Sequence, residues 1–236
     1  MQSFQDEGIA VVLGATGGIG AALVDALKNP LNASAMTQVI ALGRSTRPSF
    51  DLTDENSIMT CAQWVSQQGT PRLIIDATGM LHTSEHQPEK ALSQIDPTQM
   101  LQSFAINAVG PALLMKHFLP LLPRTGKAVF ASLSAKVGSI GDNELGGWYS
   151  YRASKAALNQ LVKTAAVELK RRAPQAICVS LHPGTVDTKL SNPFSKTGLN
   201  VRPPQEAAMD LIQVIDQLKS DQTGGFFDYK GEAIPW

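Results

Sequence analysis

Residues 9–20 read IAVVLGATGGIG, and no other stretch limits the fold so strongly. A run of aliphatic residues without polar alternation suits a strand buried on both faces. The run stops at a turn carrying Gly14, Gly17, Gly18 and Gly20, and a helical pattern opens at Ile19 and runs to Leu27. Backbone N–H groups at a helix N-terminus favour an anion, and a Cβ in such a turn would hold the anion away. The glycines read equally as G-x-x-x-G-x-G and as G-x-x-G-x-x-G. Neither is G-x-G-x-x-G, the commonest dinucleotide fingerprint. The plainer explanation is a tight turn with no ligand; the strand before it and the helix after it favour a diphosphate.

The same alternation continues along the chain. Further strands are expected at Gln38–Gly43, Arg72–Thr78, Lys127–Ser134, Ala176–Pro183 and near Gly225–Gly231. Helices are expected at Glu55–Gln67, Gln99–Leu122, Tyr151–Arg172 and Pro204–Leu218. Strand–helix alternation predicts an α/β fold: a doubly wound parallel sheet with helices on both faces. No repeat or low-complexity linker divides residues 1–236, so one domain is expected, with long loops at 82–97 and about 190–204.

Lys plus Arg and Asp plus Glu both number 20, so the net charge is zero. That balance lacks the basic stripe of a nucleic-acid binder, and no nucleic-acid partner is expected. Cys61 and Cys178 lie far apart inside apolar segments and read as buried, reduced thiols. No unbroken apolar run reaches the ~18 residues of a membrane span. The opening MQSFQDEG is polar, unlike a signal peptide, and a cytoplasmic location without membrane contact is the default expectation.

The end of the second strand bears on which dinucleotide is bound. NAD sites there usually offer an acid to the ribose, whereas an arginine accommodates the 2′-phosphate of NADP. Here the run is IALGRSTR, with Arg44 and Arg47 and no acid. NADP(H) is therefore favoured over NAD(H), with Arg44 as the phosphate contact and Arg47 as a solvated arginine.

YRASK places Tyr151 and Lys155 four residues apart, on one face of a helix. A free phenol titrates near pH ~10 and is a poor proton relay at neutral pH; a nearby cation favours the phenolate. Tyr149, by contrast, has Ala153 at that spacing. A Tyr and Lys pair is common by chance, and the glycine turn and the serine-bearing strand before it supply the specificity. Ser132 and Ser134 are both candidates to hydrogen-bond a reacting oxygen. Ser134 is preferred because it lies nearer the strand end.

These residues together resemble the short-chain dehydrogenase/reductases over nearly the whole chain, in their compact single-domain branch and most like its C-factor and carbonyl reductase group. The resemblance implies a Rossmann-like fold and assigns Gly14, Thr16, Gly17, Gly18, Ile19 and Gly20 to the cofactor turn. Asp51 and Leu52 of DLTD resemble the adenine contact. The family's N-N-A-G stretch stands here as DATG, Asp76 to Gly79. Thr78 and Gly79 keep a cofactor role by resemblance, while both asparagines are missing and the hydrogen bonding there must be met differently. Asn107 of INAVG resembles the catalytic asparagine, which is thought to hold a water between the lysine and solvent. In HPGTVDT, Pro183, Gly184, Val186 and Thr188 resemble the loop under the nicotinamide. Ala135 stands where many members carry a second serine, and DNELGGWYS reads as an insertion before Tyr151.

The expected function is hydride transfer between NADP(H) and a carbonyl or alcohol, with Tyr151, Lys155, Ser134 and Asn107 catalytic. The rival is a dinucleotide-binding signalling protein that needs no turnover. The substrate is expected to be a small molecule, held between segments 81–88, 140–148 and 190–201. Leu145, Trp148 and Phe194 tilt that expectation towards an apolar or aromatic carbonyl. The resemblance also implies a homodimer or homotetramer built on the two long helices.

Overall fold

The computed structural model describes every residue except Pro30, Ser34 and 191–200. Six parallel strands form the main sheet, in the order β2-β1-β3-β4-β5-β8. They are β1 (Gly8–Leu13), β2 (Met36–Leu42), β3 (Pro71–Asp76), β4 (Ala128–Leu133), β5 (Ala176–His182) and β8 (Phe226–Asp228). A two-stranded ladder, β6 (Thr185–Val186) with β7 (Val201–Arg202), was not expected from the sequence. Two residues per strand give too short a pattern to read.

The helices are α1 (Gly18–Lys28), α2 (Glu55–Ser66), α3 (Pro97–Phe104), α4 (Gly110–Phe118), α5 (Tyr149–Arg172) and α6 (Pro204–Gln217). α1 and α6 bury their apolar sides against one sheet face, through Leu23, Leu27, Leu211 and Ile215. α2, α4 and α5 cover the other, through Ile58, Leu114, Phe118, Leu158 and Val162. Every residue of β1, β3 and β4 is buried, which explains why those runs lack alternation.

The expected single helix over Gln99–Leu122 is a composite. It starts two residues earlier, where Asp96 accepts from the Gln99 N–H at 2.8 Å and Pro97 takes a first-turn position that needs no N–H donor. A π-helical turn (Ala105–Val109) separates α3 from α4, and a 3₁₀ turn (Leu119–Leu121) ends the rod. Taken whole, Pro97–Leu121 is long and apolar enough to cross a membrane by length and composition. Polar residues such as Gln99, Gln102 and Asn107 interrupt the rod, so it holds no unbroken apolar run although its average is apolar. In the fold its apolar side packs into the core at Leu114, Met115 and Phe118.

Strand order reverses between β1 and β3: the chain leaves β1 for β2 on one side and returns to β3 on the other. Such a switch point opens a crevice at the carboxyl ends of the strands. Gly14 leaves β1 there, and Gly79 follows β3.

Candidate active site

The glycine turn meets the requirements of a phosphate cradle. Gly14 has φ +81, and a Cβ on it would lie 2.9 Å from the Ala77 carbonyl. At Gly20 a Cβ would fall 2.2 Å from the Gly14 oxygen, so the helix can start this close to the strand only without one. Gly17 is the N-cap of α1, no side chain caps that helix end, and Thr16, Gly17 and Gly18 are exposed. The turn thus offers solvent-facing N–H groups and the positive end of a helix dipole. Ile19 packs its side chain towards the α1 core.

The other cofactor residues expected from the sequence surround this turn. Thr188 seals its far side, with Cγ2 2.7 Å from where a Gly18 Cβ would stand. Val186 is buried, and Gly184, at φ +81, packs on the Tyr229 ring behind Pro183. Arg44 and Asp51 are both exposed beyond the carboxyl end of β2. The Asp51 carboxyl is held below its usual range, first by the Thr53 hydroxyl (2.6 Å) and N–H (2.7 Å), with a smaller pull from Arg44. Leu52 packs over Gly110.

Tyr151 and Lys155 share one face of α5, with Nζ 6.0 Å from the phenol ring centroid. Lys155 is 3 % exposed and donates to the Leu133 carbonyl at 2.9 Å. Burial lowers its pKa to about 8. The expected lowering of the tyrosine is not what the chain alone produces: burial pushes the Tyr151 phenol up. At a centroid distance of 6.0 Å the ammonium does not offset the desolvation of a phenolate.

The two serines separate cleanly. Ser132 is fully buried and donates to Asp76 Oδ2 at 2.7 Å. Ser134 lies just past the end of β4, and its buried Oγ has no hydrogen-bond partner. Asn107, also fully buried, sits in the π turn and brackets Met80: its Nδ2 donates to the Met80 carbonyl and its Oδ1 accepts the Met80 N–H, both at 2.8 Å. The same Nδ2 reaches Ser154 Oγ at 3.2 Å. Asn107 Oδ1 and Lys155 Nζ flank Gly79, each 3.5 Å from the position of a Cβ there. The two missing family asparagines are answered by Asp76, whose Oδ1 accepts from the Thr78 N–H (3.0 Å) and hydroxyl (2.5 Å). Together with Ser132 this ties β3 to β4.

A pocket beside Tyr151 is lined by Leu81, His82, Thr83, His86, Glu89, Gln99 and neighbouring residues. Met80, Leu81 and Pro88 share this lining with the polar side chains. Leu145 is 93 % and Ile140 78 % exposed, so the segment expected to supply apolar groups turns them outward. Trp148 stacks edge-on to Tyr151 with centroids 6.2 Å apart. Phe194 and most of the expected substrate loop lie outside the described residues.

Glu89 belongs to the site without any signal in its local sequence. It is 2 % exposed and accepts from the Ser150 N–H (3.2 Å) and the Ser150 hydroxyl. It thereby caps α5 from another segment, because Trp148, the N-cap, has φ 52 and no capping side chain. A lone acid in a polar loop carries no periodic signal.

Comparison with known proteins agrees with this geometry. The short chain dehydrogenase family matches residues 8–198. C-signal of Myxococcus xanthus is 36 % identical over 147 residues, 62 % of this chain and 84 % of that protein. A 1-hydroxy-2-glutathionyl-2-methyl-3-butene dehydrogenase of Rhodococcus sp. (strain AD45) is 30 % identical over 197 residues, 83 % of this chain and 82 % of that one. The NADPH-bound carbonyl reductase from chicken fatty liver shares the fold at TM-score 0.83 and 24 % identity, covering 98 % of this chain and all of that chain. The chain belongs to the short chain dehydrogenase family of oxidoreductases.

Proposed function

We propose that this protein is an NADP(H)-dependent reductase of small carbonyl compounds, or dehydrogenase of the corresponding alcohols, with Tyr151 as general acid and base. The observation that carries this reading is the meeting, at one end of the sheet, of a glycine cradle with Tyr151, buried Lys155 and the unpartnered hydroxyl of Ser134. When bound, the nicotinamide supplies or accepts the hydride at the substrate carbon.

The chain's own residues do the rest. The backbone of Gly14–Gly20 holds the diphosphate at the α1 N-terminus, and Arg44 meets the 2′-phosphate. Ser134 Oγ donates to the substrate oxygen and fixes it. Tyr151 donates its proton to that oxygen in reduction and takes it back in oxidation. Burial keeps the phenol protonated until negative charge develops on the substrate, which suits an acid. Lys155 stabilises the phenolate left behind. Asn107 holds Met80 and the Gly79 turn in place beside Nζ.

Fluorescence titration with NADPH and NADH, followed by turnover of aldehydes and ketones, tests the reading. NADPH binding with turnover that is lost in Tyr151→Phe supports it; binding of neither nucleotide rejects it. The similarity to C-signal favours one rival, a dinucleotide-binding signalling protein. Biological activity that survives in a Tyr151→Phe variant without turnover would select that rival. A cytoplasmic location and a homodimer or homotetramer form part of the same proposal.

A further inference from the structure

The described residues include four buried charged side chains: Arg72, Asp76, Glu89 and Lys155. Charges out of water are tolerated when paired and hydrogen-bonded. Arg72 is at the amino end of β3 and pairs with Asp6 at 2.9 Å. Glu89 is committed to the N-terminus of α5. Asp76 and Lys155 remain, and both are tied to consecutive residues at the end of β4. Ser132, in register with Asp76, donates to its Oδ2, and the carbonyl of the next residue, Leu133, accepts from Lys155 Nζ.

We propose that Asp76 is the buried counter-ion of Lys155, a positioning residue that keeps the lysine protonated beside Tyr151. The inference rests on the catalytic reading above for its consequence in turnover, though not for the attraction between the two charges. Asp76 receives three donors, Thr78 N–H, Thr78 Oγ1 and Ser132 Oγ. All three favour the carboxylate over the acid. Burial pulls in the opposite direction, raising the Asp76 carboxyl and lowering Lys155. Mutual attraction is what lets both remain charged.

Other charged groups near the lysine are engaged elsewhere. Tyr151 is on the same helix. The turn Lys136–Gly138 packs Gly138 on the Lys155 backbone and Cβ, and its Lys136 pairs with Asp142 at 3.1 Å. His182, on β5, faces Asp228, Lys136 and Asp142 and is held neutral by burial. The π turn and α3 contribute the neutral Asn107 and Ser103, and α5 adds Ser154.

The test follows the Lys155 Nζ resonance in isotope-labelled full-length protein, assigned with Lys155→Arg. Asp76→Asn, nearly isosteric, should move its titration midpoint acidward by about one pH unit or more, as loss of an adjacent opposite charge does. The alkaline limb of kcat should move with it. Ser132→Ala, which removes a hydrogen bond to Asp76 and keeps the charge, should leave the Nζ midpoint in place. An unchanged midpoint in Asp76→Asn overturns the proposal. If that variant does not fold, the side-chain carboxyl resonance of Asp76 in the wild type decides: a midpoint below about pH 7 supports the ion pair, and one at or above it refutes it. Absence of turnover in the wild type would sink the catalytic reading and leave the resonance result standing.

Discussion

Ser132 gives its hydroxyl to Asp76 Oδ2 at 2.7 Å, whereas Ser134, two residues on, has a buried Oγ with no partner. The sheet thus divides the two serines into a cross-strand tie and a free donor. Ser134→Ala should lower kcat on the order of a hundredfold, as loss of a donor to a developing oxyanion does, with little change in melting temperature. Ser132→Ala should behave the other way, costing about 1–3 kcal/mol of stability because a buried acceptor loses its partner. Steady-state kinetics and thermal melts on both variants check the division.

Glu89 holds the first turn of α5 from outside the helix. Glu89→Ala should remove the cap and cost about 1–2 kcal/mol in a denaturant titration. Because Trp148 and Tyr151 ride on that turn, KM should rise as well. A variant with wild-type stability and KM would show the cap to be dispensable.

Arg44→Asp should reverse the nucleotide preference. Loss of one charge-assisted phosphate contact is worth about 1.4 kcal/mol or more, or tenfold in Kd for NADPH. Fluorescence titration with both nucleotides reads this directly, and an unchanged NADPH-to-NADH ratio would remove Arg44 from the site.

His182 predicts a loss of stability in mild acid. Burial lowers its folded pKa to about 4, against an ordinary 6.5. Between those values the unfolded chain binds more protons than the folded one, so stability falls as pH drops through that window. The loss should reach roughly 3 kcal/mol at most near pH 4. Melting curves should show His182→Asn losing less stability than wild type over the same range. Parallel losses would locate the acid sensitivity elsewhere.

Self-association should use the outer faces of the long helices. Leu101 (72 % exposed), Val109 (52 %) and Val167 (53 %) stand on α3, the π turn and α5. Light scattering should give a mass of two or four chains of 25.2 kDa. A mass of one chain rejects the assembly.

Much of this fold was legible in the sequence because its signals are local. β1, β3 and β4 are buried throughout and read as near-continuous apolar runs, and the glycine turn is a steric requirement written into seven residues. Tyr151 and Lys155 were legible because helical spacing fixes their common face. The rest depends on contacts distant in sequence. Glu89 meets Ser150 across 61 positions, and Asp76 meets Ser132 across 56. Neither has a local pattern. DATG showed that the family's amide bonding was absent, but only packing shows which groups take its place. The outward turn of Leu145 and Ile140 is illegible for a related reason: composition lists them without saying that the backbone turns them to solvent.

The π turn at Ala105–Val109 makes regularity and activity opposing goals for anyone editing this protein. A π turn amounts to one extra residue in an α-helix. Deleting that residue would yield a smoother rod that a helix-propensity score would prefer. It would also rotate α3 by about 100° relative to α4 and turn either Asn107 or the Leu114–Phe118 stripe away from its place. The bulge lets one helix satisfy two phase requirements, a polar one towards Met80 and an apolar one towards the sheet. A redesign that straightens Pro97–Leu121 has to choose between them.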